Sequence, residues 1–148
     1  MRDLAERFDH PWLAANSRVQ LGTLALVRGR ADDALALLHE GLDLGLAAHS
    51  THSVSLSLAA FARLAFVEGN PERAALLAGA AEGLRRRVGL PAWPMLRRGE
   101  AELVAQVREA LGADRFDQVF VDGARISQRE GVAIIRNRRG DNDGTAGF

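Results

Sequence analysis

One turn occurs twice in this chain, about 40 residues apart, and it sets the fold before any other feature is consulted. The later copy is Val67-Glu68-Gly69-Asn70-Pro71-Glu72-Arg73-Ala74-Ala75-Leu76-Leu77. Gly69 can adopt the positive φ that ends a helix, and Asn70 can cap the next one. Pro71 falls at the first helical position, where its missing N–H costs nothing. Glu72 lies near the positive end of the helix dipole. The earlier copy is Val27-Arg28-Gly29-Arg30-Ala31-Asp32-Asp33-Ala34-Leu35-Ala36-Leu37. A period of this size is the mark of stacked helical hairpins.

The register between the copies holds position by position. Leu21 matches Phe61, Leu24 matches Leu64, Ala25 matches Ala65, Ala34 matches Ala74 and Leu37 matches Leu77. In the first pair, Leu13, Leu21, Leu24 and Ala25 are expected to mark the apolar face of the opening helix. Asp32 or Asp33 should open its partner, with Ala34, Leu37, Leu38, Gly41 and Leu44 as the buried stripe. A polar linker, Ala47 to Ser53, then closes the pair. In the second pair the stripes are Val54, Leu58, Phe61, Ala62 and Ala65, and then Ala74, Leu77, Ala78, Ala81, Leu84 and Val88. Gly22 and Gly41 in the first copy, and Ala62 and Ala81 in the second, are small residues placed for close helix approach.

Beyond Val88 the plan changes. Gly89-Leu90-Pro91-Ala92-Trp93-Pro94 reads as a rigid elbow. A helix carrying Leu96, Leu103, Val104, Val107 and Leu111 follows, ended by Gly112. A shorter helix from about Asp114 to Gly123 should bury Phe116, Val119 and Phe120. Ser127-Gln128-Arg129-Glu130 is a capping box that opens a last helix with Val132 and Ile135 inward. At the other end, Leu4 and Phe8 suit the end of a helix that Asp9-His10-Pro11-Trp12 breaks. The chain thus divides into helical repeats over 1–89, capping helices over 90–136 and a disordered tail over 137–148.

Composition removes whole classes of chemistry. All 19 basic residues are Arg, so a Gly-Lys-Ser/Thr phosphate loop and Schiff-base catalysis are excluded. Cysteine is absent, which excludes disulfides, thiolate zinc sites and Cys nucleophiles. Nineteen acidic residues balance the charge to zero, so no field draws the chain to nucleic acid or to an anionic membrane. Neither a signal peptide nor a membrane-spanning run is legible, and a cytoplasmic location is expected.

Spacing of small residues around each pair resembles the tetratricopeptide repeat, although 34 residues is the usual period there. Three segments extend the resemblance: Gly69 to Glu82, Val104 to Gly112, and Phe116 to Ser127. They look like the C-terminal repeat region of LuxR-type, MalT-like or AfsR-like actinobacterial regulators, as does Asp9-His10-Pro11-Trp12. The resemblance implies an all-α, tetratricopeptide-like helical-hairpin solenoid with C-terminal capping helices. It further implies a module of an ATP-binding transcriptional regulator whose nucleotide- and DNA-binding parts lie elsewhere. On that basis the chain is expected to be a terminal piece of a longer solenoid, exposing apolar surface at its N-terminal end.

No catalytic, cofactor or metal site is expected. His49 and His52 read as residues of a solvated linker with no third ligand at motif spacing. Asp141-Asn142-Asp143-Gly144 lacks the ligands of a calcium loop. Ser50, Ser53, Ser55 and Ser57 lie near His52 without a nucleophile elbow. Arg85-Arg86-Arg87 with Arg97 and Arg98 is a candidate anion cluster, better explained as cations at a helix C-terminus. The expected function is non-enzymatic binding of a protein partner or small effector, with Arg18, Gln20 and Arg63 as contacts on the first helix of each pair. The alternative is a free-standing adaptor that self-associates through the N-terminal end.

Overall fold

The computed structural model describes residues 11–89 and 94–137. These fold into seven helices with no strand among the described residues: α1 (Pro11–Val27), α2 (Ala31–Ala47), α3 (Thr51–Val67), α4 (Pro71–Arg87), α5 (Pro94–Leu111), α6 (Ala113–Arg125) and α7 (Gln128–Arg136). The protein is all-α, and α1/α2 and α3/α4 form two stacked hairpins.

Each of the first four helices is 17 residues long. Positive φ recurs at Gly29 (77°), His49 (51°), Gly69 (83°) and Gly89 (69°), once after each of these four. The long period therefore comes from longer helices and not from longer loops. The linker is also shorter than Ala47 to Ser53. Ala47 is still helical, and Ser50 caps α3 by accepting from the Ser53 N–H at 3.2 Å. His49 takes the left-handed turn that glycine takes elsewhere. Asn70 caps α4 as expected, accepting from Arg73 N at 3.0 Å with Pro71 behind it. The helix α2 instead starts at Ala31 without a side-chain cap, so neither Asp32 nor Asp33 opens it.

The expected face of α1 is corrected. Leu21 and Leu24 are 42% and 45% exposed, and the buried residues are Ala14, Ala15, Asn16, Ser17, Arg18, Val19, Gly22 and Leu26. The cause is close approach. A Cβ on Gly22 would come within 2.7 Å of Leu38 Cδ2, and one on Gly41 within 2.8 Å of Val19 Cγ2. Gly22 and Gly41 let α1 and α2 approach closely against Leu38 and Val19, while Leu21 and Leu24 turn to an open groove.

The second hairpin follows expectation more closely. Val54, Leu58, Phe61, Ala62 and Ala65 are buried, as are Ala74, Leu77, Ala81 and Leu84. Ala78 is only partly buried, and Val88 is 48% exposed because it lies past the end of α4 as its C-cap. In the first hairpin Ala34, Leu38 and Gly41 are buried, while Leu37 and Leu44 are only half-buried.

Helix α5 buries Leu103 and Val107, and α6 buries Phe116 and Val119 with Phe120 partly covered. Helix α6 rests on α4 almost backbone to backbone. A Cβ on Gly79 would collide with the Phe120 carbonyl oxygen, one on Gly83 with that of Ala124, and one on Gly123 with that of Leu76. Arg87 reaches across from α4 to the carbonyls of Ala124 (3.0 Å) and Ile126 (2.9 Å), satisfying acceptors at the end of α6. The capping box of Ser127 and Glu130 is present at α7, and Ile135 is 1% exposed. From α7, Arg136 returns to Asp43 and to His39 on α2. The expected helix end at Leu4 and Phe8, the elbow residues 90–93, the side chain of Leu96 and the tail from 138 lie outside the described residues.

Candidate functional site

Three helices converge on a cleft of about 130 Å3. From α1 come Val19, Gln20 and Thr23; from α3, Leu56, Ala59, Ala60 and Arg63; from α5, Gly99, Glu100 and Leu103. The steps of three and four residues place each set on one helical face. The walls are apolar: Val19, Leu56, Ala60 and Leu103 are each no more than 6% exposed. The mouth is polar. Arg63 Nη2 donates to the Gly99 carbonyl at 3.1 Å, which ties α3 to α5. Thr23 is oriented by its own hydroxyl, which donates to Val19 O at 2.9 Å.

Behind Glu100 lies a smaller cavity of about 60 Å3, lined by Ala59, Leu103, Val104, Phe120 and Arg85 among others. Arg85 forms a two-pronged pair with Glu100 at 2.8 and 2.7 Å and also donates to Glu82 at 3.1 Å. Burial opposes its charge, but Glu100 and Glu82 outweigh that penalty and raise its pKa. The candidate anion cluster is therefore divided, with Arg85 inside and Arg86, Arg87 and Arg98 exposed. Arg85 is 6% exposed and paired with carboxylates, Arg87 holds α6, and Arg86 is exposed and pairs with Glu82 at 3.3 Å.

Of the three expected contacts, Gln20 and Arg63 reach this one cleft. Arg18 does not. It is 5% exposed, and its Nε donates to Glu40 Oε1 at 2.9 Å, so it ties α1 to α2. Glu100, Thr23 and Leu103 were missed by sequence reasoning. Thr23 was legible, being one turn beyond Val19 and Gln20; the α5 residues carried no local signal.

His52 is not in a solvated linker. It stands in the first turn of α3, where burial and then the charge of Arg85 hold its pKa below the ordinary 6.5. The serines around it are structural. Ser53 is fully buried and donates to Asn16 Oδ1 at 2.7 Å, Ser55 donates to His52 O, and Ser57 to Ser53 O. Among the described residues there is no group of three or more His, Asp or Glu placed to hold a metal. No described helix is long and apolar enough to cross a membrane.

Sequence comparison supplies a regulatory context. The chain is 27% identical over 132 residues to two proteins of Mycobacterium tuberculosis strains and one of Mycobacterium bovis. All three carry the name "Putative HTH-type transcriptional regulator". The match covers 89% of this chain but spans only 15% of each relative's length. No protein-family model matches the chain, and no solved structure matches it.

Proposed function

We propose that this chain is a non-enzymatic helical-repeat module of a LuxR-type transcriptional regulator, and that it binds a small effector or partner side chain in the α1/α3/α5 cleft. The observation that carries the reading is the cleft itself: apolar walls, a polar mouth, and three elements that a ligand would bridge. Its regulatory setting rests on the distant similarity to much longer regulators. Zero net charge, with Arg18 and Arg85 held in buried ion pairs, supports a ligand other than duplex DNA. A fragment screen read by 15N–1H spectra of the whole chain tests this. Fragments should perturb the amides of Gln20, Thr23, Arg63 and Leu103 first, and a random DNA duplex should perturb none. Hits that map elsewhere, or turnover of a fragment, would overturn the reading.

A second reading, assembly through the N-terminal end, is favoured by the internal repeat. In the second hairpin Phe61, Leu64 and Leu77 are at most 3% exposed, whereas their counterparts Leu21 and Leu24 are exposed and Leu37 is half-buried. An open groove lined by Leu21, Leu24, Ala25, Ala36 and Leu37, with Arg28, Arg30 and Asp33 at its rim, remains at that end. The occupant that fits is another hairpin of the same kind, stacked as the first stacks on the second. Adding a further copy of residues 11–50 ahead of the chain should raise the melting temperature by about 5 °C or more. Leu24→Asp should abolish that gain yet leave the unextended chain unchanged. No gain on extension would sink this reading.

A further inference from the structure

Four arginines of the two hairpins are buried or half-buried, and they are treated unequally; Arg73, on α4, donates to the Ile134 carbonyl. Arg18 has Glu40 at 2.9 Å, and Arg85 has Glu100 and Glu82. Arg63, half-buried on α3, has no carboxylate among the described residues; its one protein partner is the Gly99 carbonyl. A guanidinium presents five N–H donors in a planar fork matched to a carboxylate, and partial burial strips it of water without supplying a counter-charge. This cation stands at the rim of the cleft, with Gln20 and Thr23 facing it across the mouth and apolar walls below. Glu100, the acid that also lines the cleft, already has both oxygens engaged by Arg85. The charge left unanswered there is positive.

We infer that the cleft takes a small apolar carboxylate, its anionic head on Arg63 and its branched or aromatic body against Val19, Leu56 and Leu103. The inference rests on the binding-module reading and specifies its ligand. A cavity of about 130 Å3 is close to the roughly 150 Å3 engineered cavity that holds benzene, so the apolar body is the size of one leucine or phenylalanine side chain. Two sources share this chemistry: a free carboxylic acid, or the C-terminal residue of a partner peptide.

The probes are 3-methylbutanoate and its neutral amide, and an N-acetylated tripeptide ending in leucine with a free or an amidated C-terminus, titrated into the whole chain by 15N–1H spectra. The acid should shift Gln20, Thr23, Arg63 and Gly99 amides in a saturable manner and bind roughly tenfold or more tightly than the amide. Arg63→Gln should reduce acid and amide to equal affinity. Binding by the free acid or by the free-ended peptide each carries the inference, and the tighter one names the source. Equal affinity of acid and amide at this cleft on the native chain overturns the anion claim, whether or not Arg63→Gln folds, and leaves the cleft a ligand site. Should neither acid nor amide probes disturb the cleft amides, the binding-module reading falls as well.

Discussion

Leu77→Asp is expected to unfold the chain, whereas the same change at Leu37, its counterpart in the first hairpin, is expected to be tolerated. Leu77 is 1% exposed in the core between α3 and α4, while Leu37 is half-buried beside the open groove. Removing a buried Leu forfeits roughly 1.5–3 kcal/mol of burial. Leaving a carboxylate there adds the cost of a charge, or of the proton that neutralises it, taken out of water. Together these exceed about 4 kcal/mol, comparable to the whole stability of many domains of this size. At Leu37 the carboxylate can reach water, and the cost should stay near 1 kcal/mol. Urea unfolding followed by circular dichroism separates the two. A Leu77→Asp chain with a near-native midpoint would mean that the face assigned to α4 is wrong, and an equal loss at Leu37 would mean that the end of the stack is covered.

That inequality also explains what the sequence could and could not reveal. The turns were legible because they depend on local chemistry: glycine for a left-handed residue, Asn70-Pro71 for a cap, Ser127 and Glu130 for a capping box. The matched register of the copies was legible because repeats keep their spacing. The inward face of α1 was not, since hydropathy favours Leu21 and Leu24 while the contact is made by Ala15, Val19 and Gly22. The first described hairpin carries an apolar groove as well as a face for its own partner helix, and a periodicity cannot say which is covered.

Long-range pairing was equally invisible. Nothing near Arg18 announces Glu40 on the facing helix, so an arginine on a candidate binding surface proved to be an internal tie. The cleft was half legible. Gln20 and Arg63 lie on matching helices, but Gly99, Glu100 and Leu103 arrive on α5, whose placement depends on the chain beyond the second hairpin. His52 lost its expected exposure for a related reason: Ser50 starts α3 early enough to carry His52 into the packed first turn, near Arg85.

The crossing of α4 and α6 was readable in principle, because Gly79 and Gly83 stand four residues apart on one helical face. Gly123→Ala should show how much of the C-terminal cap depends on it. In a helix interior a Gly-to-Ala change ordinarily gains up to about 1 kcal/mol. Here the added methyl would meet the Leu76 carbonyl, a backbone atom that cannot rotate away, so α6 must move off α4. Overpacking of this kind costs about 2–3 kcal/mol and should reverse the sign of the propensity gain. Gly99→Ala is the internal control: its Cβ would lie 3.5 Å from Arg63 Nη2, an ordinary contact, and the helix-propensity gain should survive. Thermal melts of the two variants should therefore move in opposite directions. In Gly123→Ala, faster amide exchange should centre on α6 and α7 and on the α4 and α5 residues packed against α6, with α1 and α2 least affected. A stabilised Gly123→Ala chain would show that α6 does not sit on α4 at backbone distance, and that the cap is held by Arg87 and the burial of Phe116 and Val119 instead.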